Sequence, residues 1–168
     1  MQITLQAMVP ADADDVVKFL SSNRFPFHVR SSPTAGEVRP GVLEGRFWSG
    51  GAQGYWIVED GVRIGMAVLE DLLDGAPLFD LRLGGEHRGR GAGTAALRAL
   101  CELVFTSMPD VVRFEGQTRE DNTAMRRTFL RAGFLKEAHY RMAWPAAGGA
   151  LVASVAYSIL RQDWRGTL

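Results

Sequence analysis

Only one cysteine, Cys101, stands in the 168 residues, so no intramolecular disulfide framework is available and a reducing compartment suits the chain. Neither sign of charge predominates, since 19 Lys and Arg balance 19 Asp and Glu. A neutral chain exerts no general pull on nucleic acid or on an anionic membrane, and any anion site has to be local. No apolar run approaches the roughly 20 residues that cross a bilayer. The first residues, Met1 to Gln6, lack a basic stretch followed by an apolar one, so no signal peptide is expected. His28 and His139 share no metal-ligand spacing with another His or with Cys101, and no metal is assigned. What is present is ordinary for a globular chain: 46% hydrophobic and 23% charged residues, and enough length to bury a core. The expectation is a single cytoplasmic domain over residues 1–168, with neither nucleic acid nor membrane as partner.

Ile3, Leu5, Ala7 and Val9 alternate with polar or exposed-type residues at the period of a half-buried strand. Asp12, with Asp15 three places on, predicts a capped helix carrying Val16, Val17, Phe19 and Leu20. Between residues 24 and 50, Thr34 and Glu37 offer a second cap, but Pro40-Gly41 is expected to break or kink that helix and leave an irregular, mobile region. Tyr55–Val58 and Val62–Leu69 around Asp60-Gly61 read as a hairpin, and Pro77–Leu83 as a further strand. Leu97, Leu100, Cys101, Val104 and Phe105 form a helical apolar stripe that Pro109 stops. Val111–Glu115 is a strand, then Asp121 or Asn122 caps a helix closed by Gly133. Phe134–Trp144 and Leu151–Leu160 make two long strands.

The segment Arg88-Gly89-Arg90-Gly91-Ala92-Gly93-Thr94 joins a strand to the striped helix. Such a turn suits an anion: the unpaired N–H groups of the first helical turn point outward, and glycines let the backbone approach a phosphate. Two phosphate loops fail on the residues they require. Gly84 and Gly89 are followed by Arg90-Gly91, where a Walker loop needs Lys-Ser/Thr, and a dinucleotide fingerprint would need Gly where Thr94 stands.

The spacing Arg88-x-x-Gly91-x-Gly93 resembles the signature of the GNAT acetyltransferase superfamily. Asn122, with Gly133-Phe134 eleven residues later, resembles its second signature, and Ser158–Trp164 is similar to the last strand of the RimJ/RimL-like branch. The resemblance implies an α/β (α+β) fold: a single domain with a mixed, mostly antiparallel sheet of about seven strands, splayed at the acetyl-CoA site, and helices on both faces. It implies acetyl transfer from acetyl-CoA, as co-substrate, to a primary amine by direct attack in a ternary complex. The cofactor would be held by Leu81, Arg82 and Leu83 of the strand, by Arg88 through Thr94 of the turn, and by Asn122, which also suits a plain helix cap.

For the acceptor's proton the first candidate is Asp80, whose carboxyl a partly desolvated cleft would raise toward a useful pKa. The same carboxylate suits binding of a substrate ammonium, or pairing with Arg82 or Arg113. Glu115 is the second candidate, with Glu70 and Asp71 third. Phe129 occupies the place where many members of the family have a Tyr that protonates the leaving thiolate. Phe25, Phe27, Trp48 and Trp56 are open to two readings, cleft lining or packing. The acceptor is expected to be a peptide N-terminus or a small-molecule amine and the protein a monomer or homodimer; the alternative is a silent acyl-CoA-binding module.

Overall fold

The computed structural model describes residues 2–164, so Met1 and residues 165–168 of the expected 1–168 domain lie outside it. In chain order the elements are β1 (Ile3–Ala7), α1 (Ala13–Ser22), α2 (Ala35–Leu43), β2 (Gln53–Glu59), β3 (Val62–Glu70), β4 (Leu78–Leu83), α3 (Ala92–Ser107), β5 (Arg113–Arg119), α4 (Thr123–Arg131), β6 (Leu135–Pro145), β7 (Leu151–Leu160) and the short α5 (Arg161–Trp164). One seven-stranded sheet runs β1-β2-β3-β4-β5-β7-β6. Every neighbouring pair is antiparallel except β4 and β5. No helix among the described residues is long and apolar enough to cross a membrane.

Alternation along β3 divides the core in two. Met66 and Val68 face α1 and α2, packing with Val16, Val17, Leu20, Val42 and Trp56. Ala67 and Leu69 face the other way, onto the stripe of α3, whose Leu97, Leu100, Cys101, Val104 and Phe105 are all buried. The β2–β3 turn places Asp60 and Gly61 at φ 48° and 84°, the left-handed pair that a two-residue hairpin requires. At the far end Arg161 donates to the carbonyls of Phe105, Met108 and Val111, tying off the end of α3. Val111 is thereby held in a turn, and β5 starts at Arg113 rather than at the expected Val111.

Two local expectations change. Asp12 does not cap α1 through its side chain. It closes a short turn at Pro10 by accepting from the Val9 N–H at 3.0 Å, and its other oxygen takes Arg63 at 3.0 Å. The segment expected to be irregular contains α2, whose Thr34–Glu37 capping box forms and whose Pro40 lies inside the helix. The helix survives because Gly36, whose carbonyl loses its partner to Pro40, is exposed to water, while Val42 anchors the far end in the core.

Candidate acyl-transfer site

The turn before α3 is built by backbone conformation. Gly89 and Gly91 stand at φ 78° and 94°, and Gly91 is the N-cap of α3 with no side-chain cap. The Gly91 carbonyl accepts from Thr94 and Ala95, both at 3.1 Å, which leaves the N–H groups of Ala92 and Gly93 outside the helix's own ladder and facing an anion's approach. The two arginines are spent within the chain. Arg88 donates to the Leu83 carbonyl at 2.8 and 3.0 Å and to the Arg24 carbonyl at 2.7 Å, bracing the turn against β4. Arg90 is held by Glu59 and by His87.

Beside that turn the sheet comes apart. β4 and β5 share one registered pair, Leu78 with Glu115, and the Glu115 N–H donates to the Pro77 carbonyl at 3.2 Å. Backbone groups alternate sides along a strand, so Pro77 facing β5 means that Leu81 and Leu83 also turn toward the gap. The Leu83 carbonyl is occupied by Arg88, and Leu81 presents its N–H and carbonyl to the opening.

Two clefts meet there. The turn-side cleft, about 450 Å³, is lined by Leu81–Leu83, by Arg88, Gly89, Gly91, Gly93 and Thr94, and by Arg127, Thr128 and Arg131 of α4. The other, about 540 Å³, lies over the α1–α2 face of β3 and β4 and holds Glu70, Asp80, Arg30, Arg46 and Trp144. Phe27, His28, Leu81, Arg82, Asn122 and Met125 line both, so the clefts are continuous across the split.

Asp80 is the best-connected group at the junction. One oxygen meets His28 Nε2 at 2.9 Å, and the other takes two bonds from Arg82, at 2.8 and 2.9 Å. Burial pushes its carboxyl up, but the His28 hydrogen bond and the Arg82 charge outweigh burial and hold it well below the usual carboxylate range. The expectation of a raised Asp80 is therefore reversed. Glu70 carries the raised carboxyl instead, pushed up by burial and by the charge of Asp80, against the pull of Arg46. The register explains this coupling: Val68 is opposite Asp80 and Leu78 opposite Glu70, so the two acids are diagonal neighbours on one face.

The other sequence candidates fall in several places. Glu115 is tied to Arg113 at 2.9 Å and lines neither cleft. Asn122 is the N-cap of α4, accepting from the Met125 N–H at 3.2 Å and donating to Thr118 Oγ1 at 3.0 Å, while also facing both clefts. Phe129 is wholly buried, stacked on Tyr157 with ring centroids 4.5 Å apart, and lines neither cleft. Trp56 is a core residue and Trp48 packs half-buried against that core, whereas Phe25 and Phe27 reach the clefts. Sequence reasoning missed His28 as a partner of Asp80 and did not foresee Arg127, Arg131 or Trp144 as lining. The only available signal was negative: His28 lies in an aromatic-rich segment with no metal partner.

The family model for the acetyltransferase (GNAT) domain matches residues 2–135. Comparison with curated proteins finds no match. Among solved structures, the aminoglycoside acetyltransferase AAC(6')-Ib in complex with ribostamycin and coenzyme A aligns with a TM-score of 0.81 at 23% identity, over 99% of this chain and 98% of that one. Spermidine N-acetyltransferase from Vibrio cholerae, in complex with CoA and spermine, aligns with a TM-score of 0.82 at 15% identity over 98% of each chain. A GNAT-family acetyltransferase from Bacillus anthracis aligns at 0.79 and 14% identity over 97% of each. At these identities the likeness to the solved structures is one of fold. By the match over residues 2–135, the chain belongs to the GNAT acetyltransferase family.

Proposed function

We propose that this member of the GNAT family is an acetyl-CoA-dependent N-acetyltransferase, acting on a primary amine by direct attack in a ternary complex. The observation that carries the reading is the parting of β4 from β5 after one pair, beside a helix start whose N–H groups are free for phosphate. The turn from Arg88 to Thr94 would hold the phosphates through backbone N–H groups, with Arg127 and Arg131 supplying charge from α4. Leu81, Arg82 and Leu83 would carry the extended arm, and Asn122 would fix α4 against it. When bound, acetyl-CoA supplies a thioester whose thiol, of pKa about 8.5, is a tolerable leaving group without an acid at position 129. The Leu81 N–H is aimed into the gap and suits the oxyanion of the tetrahedral intermediate.

An alkylammonium, of pKa about 10.4, must lose a proton before it attacks. Asp80, ionised across the working range, draws the ammonium to the junction. His28, donating from Nε2 to Asp80 in its neutral form, keeps Nδ1 as the proton acceptor. Asp80 thus acts on the amine partly through His28, and Glu115 has no part in it. Solved relatives in complex with ribostamycin or spermine support an amine acceptor. The same reading places a RimJ/RimL-like single domain in the cytoplasm, as monomer or homodimer, with a peptide N-terminus or small-molecule amine as substrate.

The test is free-thiol release from acetyl-CoA across a panel of amines. Release that depends on the amine, with the N-acetyl product identified by mass, is expected. CoA binding without release for any amine would mark an acyl-CoA-binding module instead.

A further inference from the structure

We infer that the acceptor is a zwitterion, an amine that carries a carboxylate in the same molecule, rather than a polycation. The inference rests on the acetyl-transfer reading above and deepens it. The acceptor-side cleft has one pole suited to an ammonium, where Glu70 and Asp80 stand as diagonal neighbours on β3 and β4. Two carboxylates on adjacent strands repel, and a single positive group between them relieves the repulsion. The rest of the cleft's charge is of the opposite sign: Arg30 and Arg46 line it, while the third guanidinium, Arg82, is committed to Asp80.

Arg30 and Arg46 are exposed and loosely held. Arg30 reaches Glu37 only at 4.0 Å, and Arg46 lies over the Phe47 ring at 5.9 Å and acts on Glu70 through its charge, with no ion pair to it. Trp144 adds an independent observation. Trp144 lines the same cleft, and its indole Nε1 is buried and has no hydrogen-bond partner among the described residues. A buried N–H left unpaired is costly, and a turn of the Trp144 ring toward the cleft would offer it to an oxygen of the bound acceptor. The cleft therefore offers one place for an ammonium and several donors for oxygen. A carboxylate meets two guanidinium groups and an indole N–H there, and bidentate Arg–carboxylate contact is the strong form of such recognition. A polyamine or aminoglycoside would bring further ammonium groups against Arg30 and Arg46, which repel them.

The experiment compares matched amines by thiol release: leucine, its decarboxylated counterpart isoamylamine, the dipeptide leucyl-aspartate, and spermidine. The carboxylate-bearing acceptors should exceed isoamylamine in kcat/KM by about tenfold or more, mainly through KM, with spermidine below them. Leucine ahead points to a free amino acid and leucyl-aspartate ahead to a peptide; either result supports the inference. Arg46→Gln should bring the ratio of leucine to isoamylamine toward one, and CoA affinity by calorimetry reports that the variant is folded. Spermidine outrunning both carboxylate-bearing acceptors, or an unchanged ratio in folded Arg46→Gln, overturns the inference and leaves acetyl transfer standing. Silence with every amine from a protein that binds CoA overturns the transferase reading, and this inference with it.

Discussion

The two clefts that meet at Leu81 and Arg82 are made of different material. The turn-side cleft rests on a run of consecutive residues, 88–94, whose contribution is backbone: two left-handed glycines and the open N–H groups of a helix start. The acceptor-side cleft rests on side chains as distant in sequence as Arg30, Arg46, Glu70, Asp80 and Trp144. A backbone site is dictated by which residues tolerate its dihedral angles, so it is written in one short stretch. A side-chain site exists only after the strand order has placed its contributors together. The first can hold a constant ligand while the second varies, and the proposed transfer from acetyl-CoA to an amine would use that division.

The largest effect should come from attacking the backbone cleft at its hinge. Gly91→Val forces a β-branched residue to φ 94°, in a place where the added Cβ has no atom of the described residues within 4 Å, so the damage is conformational and confined to the helix start. CoA binding should disappear in calorimetry while circular dichroism shows an intact fold; unchanged affinity would show that the turn does not hold the phosphates.

Next in size is Asp80→Asn, which strikes only the acceptor side. It removes the charge that draws the amine and the anchor of His28, and kcat/KM should fall about 100-fold with CoA affinity nearly unmoved. The loss should shrink as pH approaches the amine's own pKa, where solvent deprotonates the acceptor. The substitution also alters acid stability. Because the folded Asp80 carboxyl titrates below its ordinary value of 3.8, its contribution to stability is present above that value and fades as pH falls through the lower folded value. Thermal melts of Asp80→Asn should therefore show a smaller decline between neutral and acidic pH than those of the parent.

Gly65→Ala tests the wall common to both clefts. An added Cβ would collide with the Arg82 carbonyl oxygen and lie 2.7 Å from Leu83 Cδ2, so β4 itself must shift. A loss of about 1–3 kcal/mol in stability is expected, with KM raised for both substrates. Unaltered kinetics would show that β4 positions neither substrate.

Glu70→Gln should have the smallest effect on stability, and of the opposite sign. A carboxyl raised by burial and by a like charge holds its proton more tightly folded than unfolded, so its ionised form opposes folding at neutral pH. Removing that charge should raise Tm by a degree or two at pH 7 and leave it unchanged near pH 4. A lower Tm at neutral pH would mean that Arg46 outweighs burial.

The same contrast explains what was legible in the sequence. The order of strands and helices, the stripe of α3 and a cap at Asn122, one of the two residues expected for it, obey local periodicity and turn chemistry. The turn from Arg88 to Thr94 was legible as a backbone device, yet its arginines serve the protein's own carbonyls and carboxylates, because nothing in a linear motif says where a long side chain finds its partner. The pairing of His28 with Asp80 spans 52 residues and depends on the chain after α1 folding back over β4, which no local pattern encodes. The helix at residues 35–43 was obscured for another reason: proline's penalty depends on whether the carbonyl it orphans can reach water, and exposure is a property of the fold.

The placement of Cys101 on the buried stripe of α3 has a practical corollary. It is the chain's one thiol, 1% exposed, and burial pushes its pKa up to about 12. Only thiolate is a competent nucleophile, so near neutral pH this sulfur neither attacks an electrophile nor exchanges with a disulfide at a meaningful rate. Any thiol that a chromogenic disulfide detects beside the folded protein therefore comes from the CoA. Electrophilic reagents that abolish turnover must be acting on something other than the protein's thiol, and the protein needs no added reductant to avoid disulfide cross-linking.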